Sequence, residues 1–468
     1  MRKNKSVKYL IIGGGPTGLG AAWRLNELGQ SNWLLVEQQP YFGGLATSSH
    51  DDKGFTWDFA VHVAHSHYHY FDRLLQGLLP NGFFTLERRS WVYQYGCFIP
   101  YPFQYNFRHL PEDSRKECLD GLLALTNNKS LLSNEYSATF KTWIEQIFGD
   151  GIAKHFMIPY NKKIWTVPLA EMSSSWLCDR VPVVDVARVL RNIEEKVDDV
   201  SWGPNHTFQF PKEGGTGAIW QTMGERLPQE NIRLTTRLEK LDARGRVAWL
   251  SNGSVVNYQH LISTMPLTHL TGIVGIDALH RRAQGLKYSH TQVVGIAVNT
   301  KIPSHLAGKS WIYCPEASQV YYRVTPFSEF SPAHVPDTKT WCSFLCEVAS
   351  PGDGAMHDSE TLSTRVLRDI NASGLMPETS SSNTHFYMMN SEFGYPVPAL
   401  DRDAILNDVI PALEAKEIYS RGRFGGWKYE VGNMDHSLMQ GVEVVNRLVK
   451  GVEEVTWQHP SIVNAGKR

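Results

Sequence analysis

Apolar positions change their spacing several times along this chain, and each change marks an element. Val7 to Ile12 is apolar at most positions, ends at Gly13 and reads as a short buried strand. From about Thr17 to Leu28, Ala21, Ala22, Leu25 and Leu28 recur at helical spacing, and Gly29 supplies the stop. Trp33 to Val36 is a second short apolar run that predicts a strand. Residues from about 113 to 200 carry mostly helical periodicity, punctuated by Pro159, Pro168 and Pro182. Residues from about 281 to 387 hold β-rich runs, among them Gln292–Val298 and Trp341–Val348. Helical spacing returns over Ser437 to Val449.

The turn between the first strand and the first helix carries chemistry. Gly13-Gly14-Gly15-Pro16-Thr17-Gly18 satisfies G-x-G-x-x-G through Gly13, Gly15 and Gly18. The first glycine makes a tight turn, the second lets backbone approach a pyrophosphate, and the third allows helix and strand to pack closely. Free N–H groups at the helix start, around Thr17, then meet the phosphate charge. Glu37 ends the second strand nineteen residues after Gly18, where a carboxylate grips the ribose hydroxyls of an adenosine. Strand, glycines, helix, strand and acid in this order predict a dinucleotide site. The fold class is accordingly α/β, a Rossmann-type domain with a helical insertion and an antiparallel β-sheet insertion.

Composition narrows the partners. A chain of 468 residues has room for several lobes, and 42% hydrophobic with 20% charged residues is ordinary globular usage. A net charge of −1 argues against a dedicated nucleic-acid binder. Cys97, Cys118, Cys178, Cys314, Cys342 and Cys346 show neither zinc spacing nor a disulfide framework, which predicts a reducing, cytoplasmic setting. The apolar run after the basic start is too short for a signal sequence, and no stretch is long enough to span a membrane. A homo-oligomer is compatible with all of this.

Glu37 suits FAD or NAD, and three segments beyond it favour FAD. Gly43, Gly44 and Leu45 form a second glycine pair after the acid, Leu261-Ile262-Ser263-Thr264-Met265-Pro266 reads as a strand and turn, and Gly432-Asn433-Met434 precedes the last long helix. Together these resemble flavoproteins of the amine-oxidase type. A second helix N-terminus would then face the cofactor.

More specific blocks lie between. Gly54-Phe55 to Phe71-Asp72, Pro100-Tyr-Pro-Phe-Gln104, Phe156-Met-Ile-Pro-Tyr-Asn161, Trp202-Gly-Pro-Asn205, Gly214-Gly-Thr-Gly217 and Ser420 to Asn433 closely resemble UDP-galactopyranose mutase of the eukaryotic type, in order and over nearly the whole chain. The resemblance implies a discontinuous FAD domain (1–85, 203–280, 405–468), a helical substrate domain (110–202) and a mostly β domain (86–109, 281–404). It implies a reduced FAD whose N5 attacks the anomeric carbon of a UDP-sugar, interconverting pyranose and furanose forms, with NADPH or NADH as reductant and no metal. Tyr101, Phe103, Gln104, Phe156, Asn161 and Trp165 match positions around the uridine. Arg180, Arg323, Tyr313, Tyr395 and Tyr429 match the diphosphate site, Asn205 and Trp311 line the sugar, and His62 lies against the flavin. His62, Arg180 and Arg323 are the implied catalytic residues.

The pattern breaks beside the flavin. The family reads Gly-Gly-His where this chain has Ala60-Val61-His62, and a β-branched valine disfavours peptide orientations that glycine permits. His65 replaces an aromatic of the family. His65 and His69 are expected to pack or to lie on a helix surface rather than to form a metal site with His62 and His67. Two other readings stay open here: a related FAD-dependent nucleotide-sugar oxidoreductase, and a flavin or nucleotide-sugar binding protein without catalysis.

Overall fold

The computed structural model describes residues 4–127, 139–177, 184–200, 206–376, 379–380 and 382–468. The opening strand spans Asn4–Ile12, and Pro16 starts the following helix, which runs to Glu27. The expected Thr17 start differs because proline's missing N–H costs nothing in a first helical turn. Trp33–Val36 pairs parallel with the opening strand, and Val255–Ser263 pairs parallel on its other side. Ile12 thereby stands opposite both Val36 and Ser263, so the Gly13 turn, Glu37 and Thr264 emerge at one sheet edge. Ile418–Ser420 adds a further parallel strand beside Val255–Ser263. The core on one face packs Tyr9, Ile11 and Leu35 under the first helix and the helix Met434–Lys450.

Those two helices touch backbone to backbone. A Cβ on Gly441 would stand 2.0 Å from the Thr17 carbonyl oxygen, and one on Gly20 would stand 2.4 Å from that of Leu438. The glycines therefore let two helix N-termini, at Gly15 and Asn433, converge on one place.

A second sheet takes the strand order Thr384–Pro396, Tyr288–Val298, Cys342–Pro351, Arg323–Pro326, Trp311–Tyr313, Ser90–Gln94 and Cys97–Pro100. Its pairs are antiparallel except one, and that one corrects the expectation: Trp311–Tyr313 runs parallel to Ser90–Gln94. The two segments come from distant parts of the chain, so no tight hairpin dictates their direction. A separate antiparallel pair, Phe83–Glu87 with Thr207–Pro211, lies outside both large sheets.

The helices Glu112–Asn127, Phe140–Ile152 and Ile158–Trp165 share a third core with Phe103, Phe156 and Trp165. A π-helical turn, Ala153–Met157, joins the last two. Such turns recur at functional sites because the extra residue re-aims the side chains after it. Here these are Tyr160, Asn161 and Trp165. Among the described residues no helix is long and apolar enough to cross a membrane, and the five described cysteines are free.

Candidate functional site

A cavity of about 980 Å³ opens where the two helix N-termini meet the edge of the parallel sheet. Gly13, Gly15, Thr17, Glu37, Gly44, Leu45, Gly432 and Met434, all cofactor candidates from the sequence, line it. Gly13 has φ +106°, a region costly for other residues, so its tight turn requires glycine. A Cβ on Gly18 would lie 1.9 Å from the Gly13 carbonyl oxygen, which makes Gly18 a packing residue rather than a lining one. Gly15 is the opposite case. A Cβ there would meet no protein heavy atom closer than 3.8 Å, an ordinary contact with the Gly43–Gly44 backbone, and Gly15 itself lines the cavity. That is the opening a pyrophosphate needs.

Glu37 is held for its task. Its carboxylate accepts from the Gly14 N–H at 2.6 Å and from the Gln39 N–H at 2.7 Å. Burial raises its pKa, while those backbone donors favour the anion. The Gly43 N–H donates to the Gly14 carbonyl at 2.9 Å, so the second glycine pair docks directly on the first turn. Asn433 caps the last long helix rather than lining the cavity. Phosphate room, two convergent helix starts and a fixed ribose acceptor fit a dinucleotide such as FAD.

His62 also lines this cavity. Its Nδ1 stands 3.1 Å from the Ala60 carbonyl oxygen, an arrangement that makes Nδ1 the donor and leaves Nε2 as the acceptor. Burial first, then the cations Arg423 and Arg323, push its pKa down to about 4. No protonation step between pH 5 and 8 is therefore expected to belong to His62.

The backbone beside it corrects the sequence expectation. Ala60, not Val61, takes the left-handed conformation, with φ +66°. That geometry costs an alanine about 1–2 kcal/mol, which explains why glycine suits the position. Val61 adopts no such conformation, and packs with Phe59 and Trp311 against the core around Phe208 and Phe330. Ala60→Gly is expected to change stability by less than about 1 kcal/mol, because relieved strain is offset by greater unfolded-chain freedom. It should alter the rate of flavin reduction far more, as stopped-flow traces would show.

The predicted substrate residues fall into two aromatic chains. Phe103, Phe156, Tyr160, Tyr313 and Tyr101 run in sequence with centroids 4.7, 5.3, 5.1 and 5.2 Å apart. Phe103 is fully buried and serves as backing for Phe156. Trp165, Tyr395 and Tyr429 form the second group, and the Trp165 indole N–H donates to Asn161 Oδ1 at 3.1 Å. Asn161 in turn donates to the Met157 carbonyl. Gln104 is buried in the short helix Phe103–Asn106. The Trp311 indole N–H donates to the Tyr313 hydroxyl at 2.6 Å. Arg180 and Asn205 lie outside the described residues.

Arg323 is forked onto buried Glu347, with Nε and Nη2 each 2.7 Å from a carboxylate oxygen. Burial opposes its charge, but Glu347 raises its pKa well above the ordinary value. Nη1 stays outside that fork. Three residues were missed by sequence reasoning. Arg88 stacks over Tyr101 and Trp311 at 5.2 and 5.6 Å. Arg423 lies over Tyr395 and Tyr429 at 5.1 and 5.5 Å and also lines the flavin cavity. Tyr160 links the first aromatic chain. Arg423 and Tyr160 sit inside blocks that carry the resemblance, so a signal existed for them. Arg88 had none, since a single arginine ahead of a strand looks like surface charge.

The remaining histidines pack, apart from His69, which starts a helix and is exposed. His65 meets His67 edge to face at 4.8 Å. His67 donates both its backbone N–H and its Nδ1–H to Asp435 Oδ2, at 2.9 and 2.8 Å. Ligand atoms of His67, Asp435 and His436 lie within 4.8 Å of one another. Burial alone would raise the Asp435 pKa, but His436 and His67 hold it well below the carboxylate range. His436 Nδ1 stands 3.3 Å from Asp435 Oδ1, on the other side of the carboxylate from His67.

Comparison with known proteins agrees with the geometry. A family model for flavin-containing amine oxidoreductases matches residues 16–387. The chain is a flavoprotein of that class. A crystal structure of reduced UDP-galactopyranose mutase is 40% identical, covers 98% of both chains and superposes with a TM-score of 0.92. The chain therefore belongs to the UDP-galactopyranose mutase family, as an isomerase-type flavoenzyme with FAD as cofactor. A putative protoporphyrinogen oxidase from Exiguobacterium sp. 255-15 is 15% identical, with a TM-score of 0.71, covering 96% of this chain and 99% of that one. A putrescine oxidase is 16% identical, with a TM-score of 0.64, covering 96% and 100%. Both share the fold alone.

Proposed function

We propose that this protein interconverts the pyranose and furanose forms of a UDP-sugar, galactose by default, in the cytoplasm. The observation that carries the reading is the junction of two sites. Arg423 lies over the Tyr395 and Tyr429 rings and also lines the cofactor cavity with His62, while the charge of Arg323 acts on both His62 and Tyr160. When bound and reduced, FAD supplies a nucleophilic N5 for the anomeric carbon.

The chain's own residues position the rest. Tyr101, its pKa raised to about 12 chiefly by burial, remains a neutral donor for phosphate oxygens, and the hydroxyls of the neighbouring phenols lie in the same ring cluster. Arg323, and Arg180 by its matched position, supply the cations that hold the diphosphate while the sugar rearranges. His62, neutral at working pH, offers Nε2 on the flavin side. Ala60 and Val61 carry side chains where the family has a glycine pair, next to His62.

Product analysis tests it: dithionite-reduced protein, kept anaerobic with a panel of UDP-pyranoses, should yield a furanose isomer by NMR with no oxidant consumed. Stoichiometric peroxide from a UDP-sugar under air, without isomer, would overturn the reading in favour of an oxidoreductase. UDP binding alone would leave a binding protein.

Arg323→Ala should weaken UDP binding by about one to two powers of ten, given about 1.5–3 kcal/mol per charge-assisted bond. It should also destabilise the fold, because Glu347 loses its partner in a buried setting. Arg323→Met combined with Glu347→Gln should recover stability but not affinity. Calorimetry on both proteins separates the two roles, and recovered affinity in the double variant would remove Arg323 from the diphosphate site.

A further inference from the structure

Asp58 ends the strand Thr56–Asp58, two residues before the left-handed Ala60 and four before His62, and its side chain is fully buried. The Ser48 hydroxyl donates to its Oδ1, and the Thr216 backbone N–H lies 3.2 Å from both carboxylate oxygens. Ser48 Oγ itself accepts from the Gly217 N–H at 2.7 Å, so its own hydrogen is committed to Asp58. The Thr216 hydroxyl stands 2.7 Å from Asp58 Oδ2 and 2.7 Å from the His62 carbonyl oxygen.

A hydroxyl carries one hydrogen, and both of those neighbours are acceptors when Asp58 is ionised. One of the two short oxygen–oxygen contacts would then hold no hydrogen at all. A single added proton resolves the deficit. Neutral Asp58 donates from Oδ2 to Thr216 Oγ1, and Thr216 donates onward to the His62 carbonyl.

Among the described residues, no charged group meets the carboxyl from the elements packed against it. Ser48 comes from the strand Ser48–His50, Thr216 from the turn ahead of the helix Gly217–Glu225, and Thr56 and Trp57 from its own strand. Lys212 and Glu213 in the preceding turn and His50 at the end of the neighbouring strand are exposed, and His62, four residues on, is held neutral. The space is also closed to rearrangement. A Cβ on Gly215 would stand 2.3 Å from Asp58 Oδ1 and 2.5 Å from Ser48 Oγ.

We propose that Asp58 is a protonated positioning residue that, through Thr216, anchors the backbone carrying His62 beside the flavin, and that losing its proton releases that anchor. Burial supports this by pushing the Asp58 pKa up to about 6, inside the range a cell experiences. The proton exchanges with solvent, and no electron transfer is involved. The inference rests on FAD binding and not on which sugar reacts, so its test uses no sugar.

The test titrates oxidised holoenzyme across about one pH unit on either side of that value. Infrared difference spectra should show a protonated carboxyl C=O stretch that disappears as pH rises, and the visible circular dichroism of the flavin should change with the same midpoint. Asp58→Asn keeps the shape and donates permanently from its amide to Thr216. It should lack the carboxyl band and hold the low-pH flavin spectrum throughout. Thr216→Val should hold the high-pH spectrum throughout, and Thr216→Ser should restore the wild-type titration.

Stability gives an independent reading. A raised carboxyl pKa favours the folded state below 3.8 and loses that advantage as pH climbs to about 6. Wild-type stability relative to Asp58→Asn should therefore fall over that window and level off above it. A flavin titration that is the same in wild type and Asp58→Asn would overturn the proposal. Should Asp58→Asn fail to fold, an unchanged titration in Thr216→Val would overturn it equally.

Discussion

Gly15→Val yields a folded protein without colour. A Cβ at Gly15 would meet the Gly43 and Gly44 backbone only at ordinary contact distance, 3.8 Å, so the fold is expected to accept the substitution. Those methyls occupy the place where the first helix N-terminus would meet a pyrophosphate. Flavin content after purification should drop from stoichiometric to undetectable, while far-ultraviolet circular dichroism and elution volume stay as in wild type. Gly18→Val is the contrasting control. Its Cβ would collide with the Gly13 carbonyl oxygen at 1.9 Å, so the fold itself should suffer. A yellow Gly15→Val protein would mean that the cofactor phosphates lie elsewhere.

The second large effect is expected at Arg421, which does not line the cavity. Its guanidinium is fully buried and forks onto Glu454, equally buried, at 2.5 and 2.7 Å, and reaches Glu414 and the Ser420 carbonyl as well. Arg447 closes the network from the surface side. Arg421→Ala removes the central cation and leaves fully buried Glu454 with the partly exposed Arg447 alone, which costs about 3–5 kcal/mol. Arg421→Lys should recover only part, because an ammonium cannot match two carboxylates with a planar fork.

The pH dependence has a defined sign. Burial acts to raise the Glu454 pKa, but Arg421 and Arg447 hold it below its ordinary 4.5. In wild type this contributes stability above that value, lost as pH falls through the depressed folded pKa. In Arg421→Ala the dominant partner is gone and the anion becomes a liability. The stability gap between the two proteins should thus widen as pH rises through about 4.5 and narrow in acid. A gap of constant size in denaturation midpoints would mean that Arg421 acts through packing instead.

Much of the cofactor site was legible because its requirements are local. Gly13, Gly15, Gly18, Glu37 and the flanking strands act within one turn and its neighbours, and sterics at each glycine leave few alternatives. The same holds for the parallel strand Val255–Ser263, whose Ser-Thr-x-Pro turn returns the chain to the same edge. The candidate substrate residues were legible only through the resemblance blocks. An isolated Phe103, Phe156 or Trp165 reads as core, and the structure shows that they are indeed buried while also backing the pocket.

The sequence by itself determined the order of elements, the dinucleotide turn, the acid that follows it and the substitution of alanine and valine for a glycine pair. Periodicity and glycine stereochemistry act over a few residues and need no knowledge of distant partners. Only the tertiary structure decided that Ala60 rather than Val61 bears the left-handed strain, because φ depends on how both ends of the loop are anchored. Only it brought Arg88 and Arg423 onto the aromatic rings, tied Arg323 to Glu347, and set one Thr216 hydroxyl between Asp58 and the His62 carbonyl, across more than 150 residues of chain. Such pairings have no period to betray them. They exist because burial forces each polar group to find a partner, and which partner it finds is settled by the packing of segments far apart in sequence.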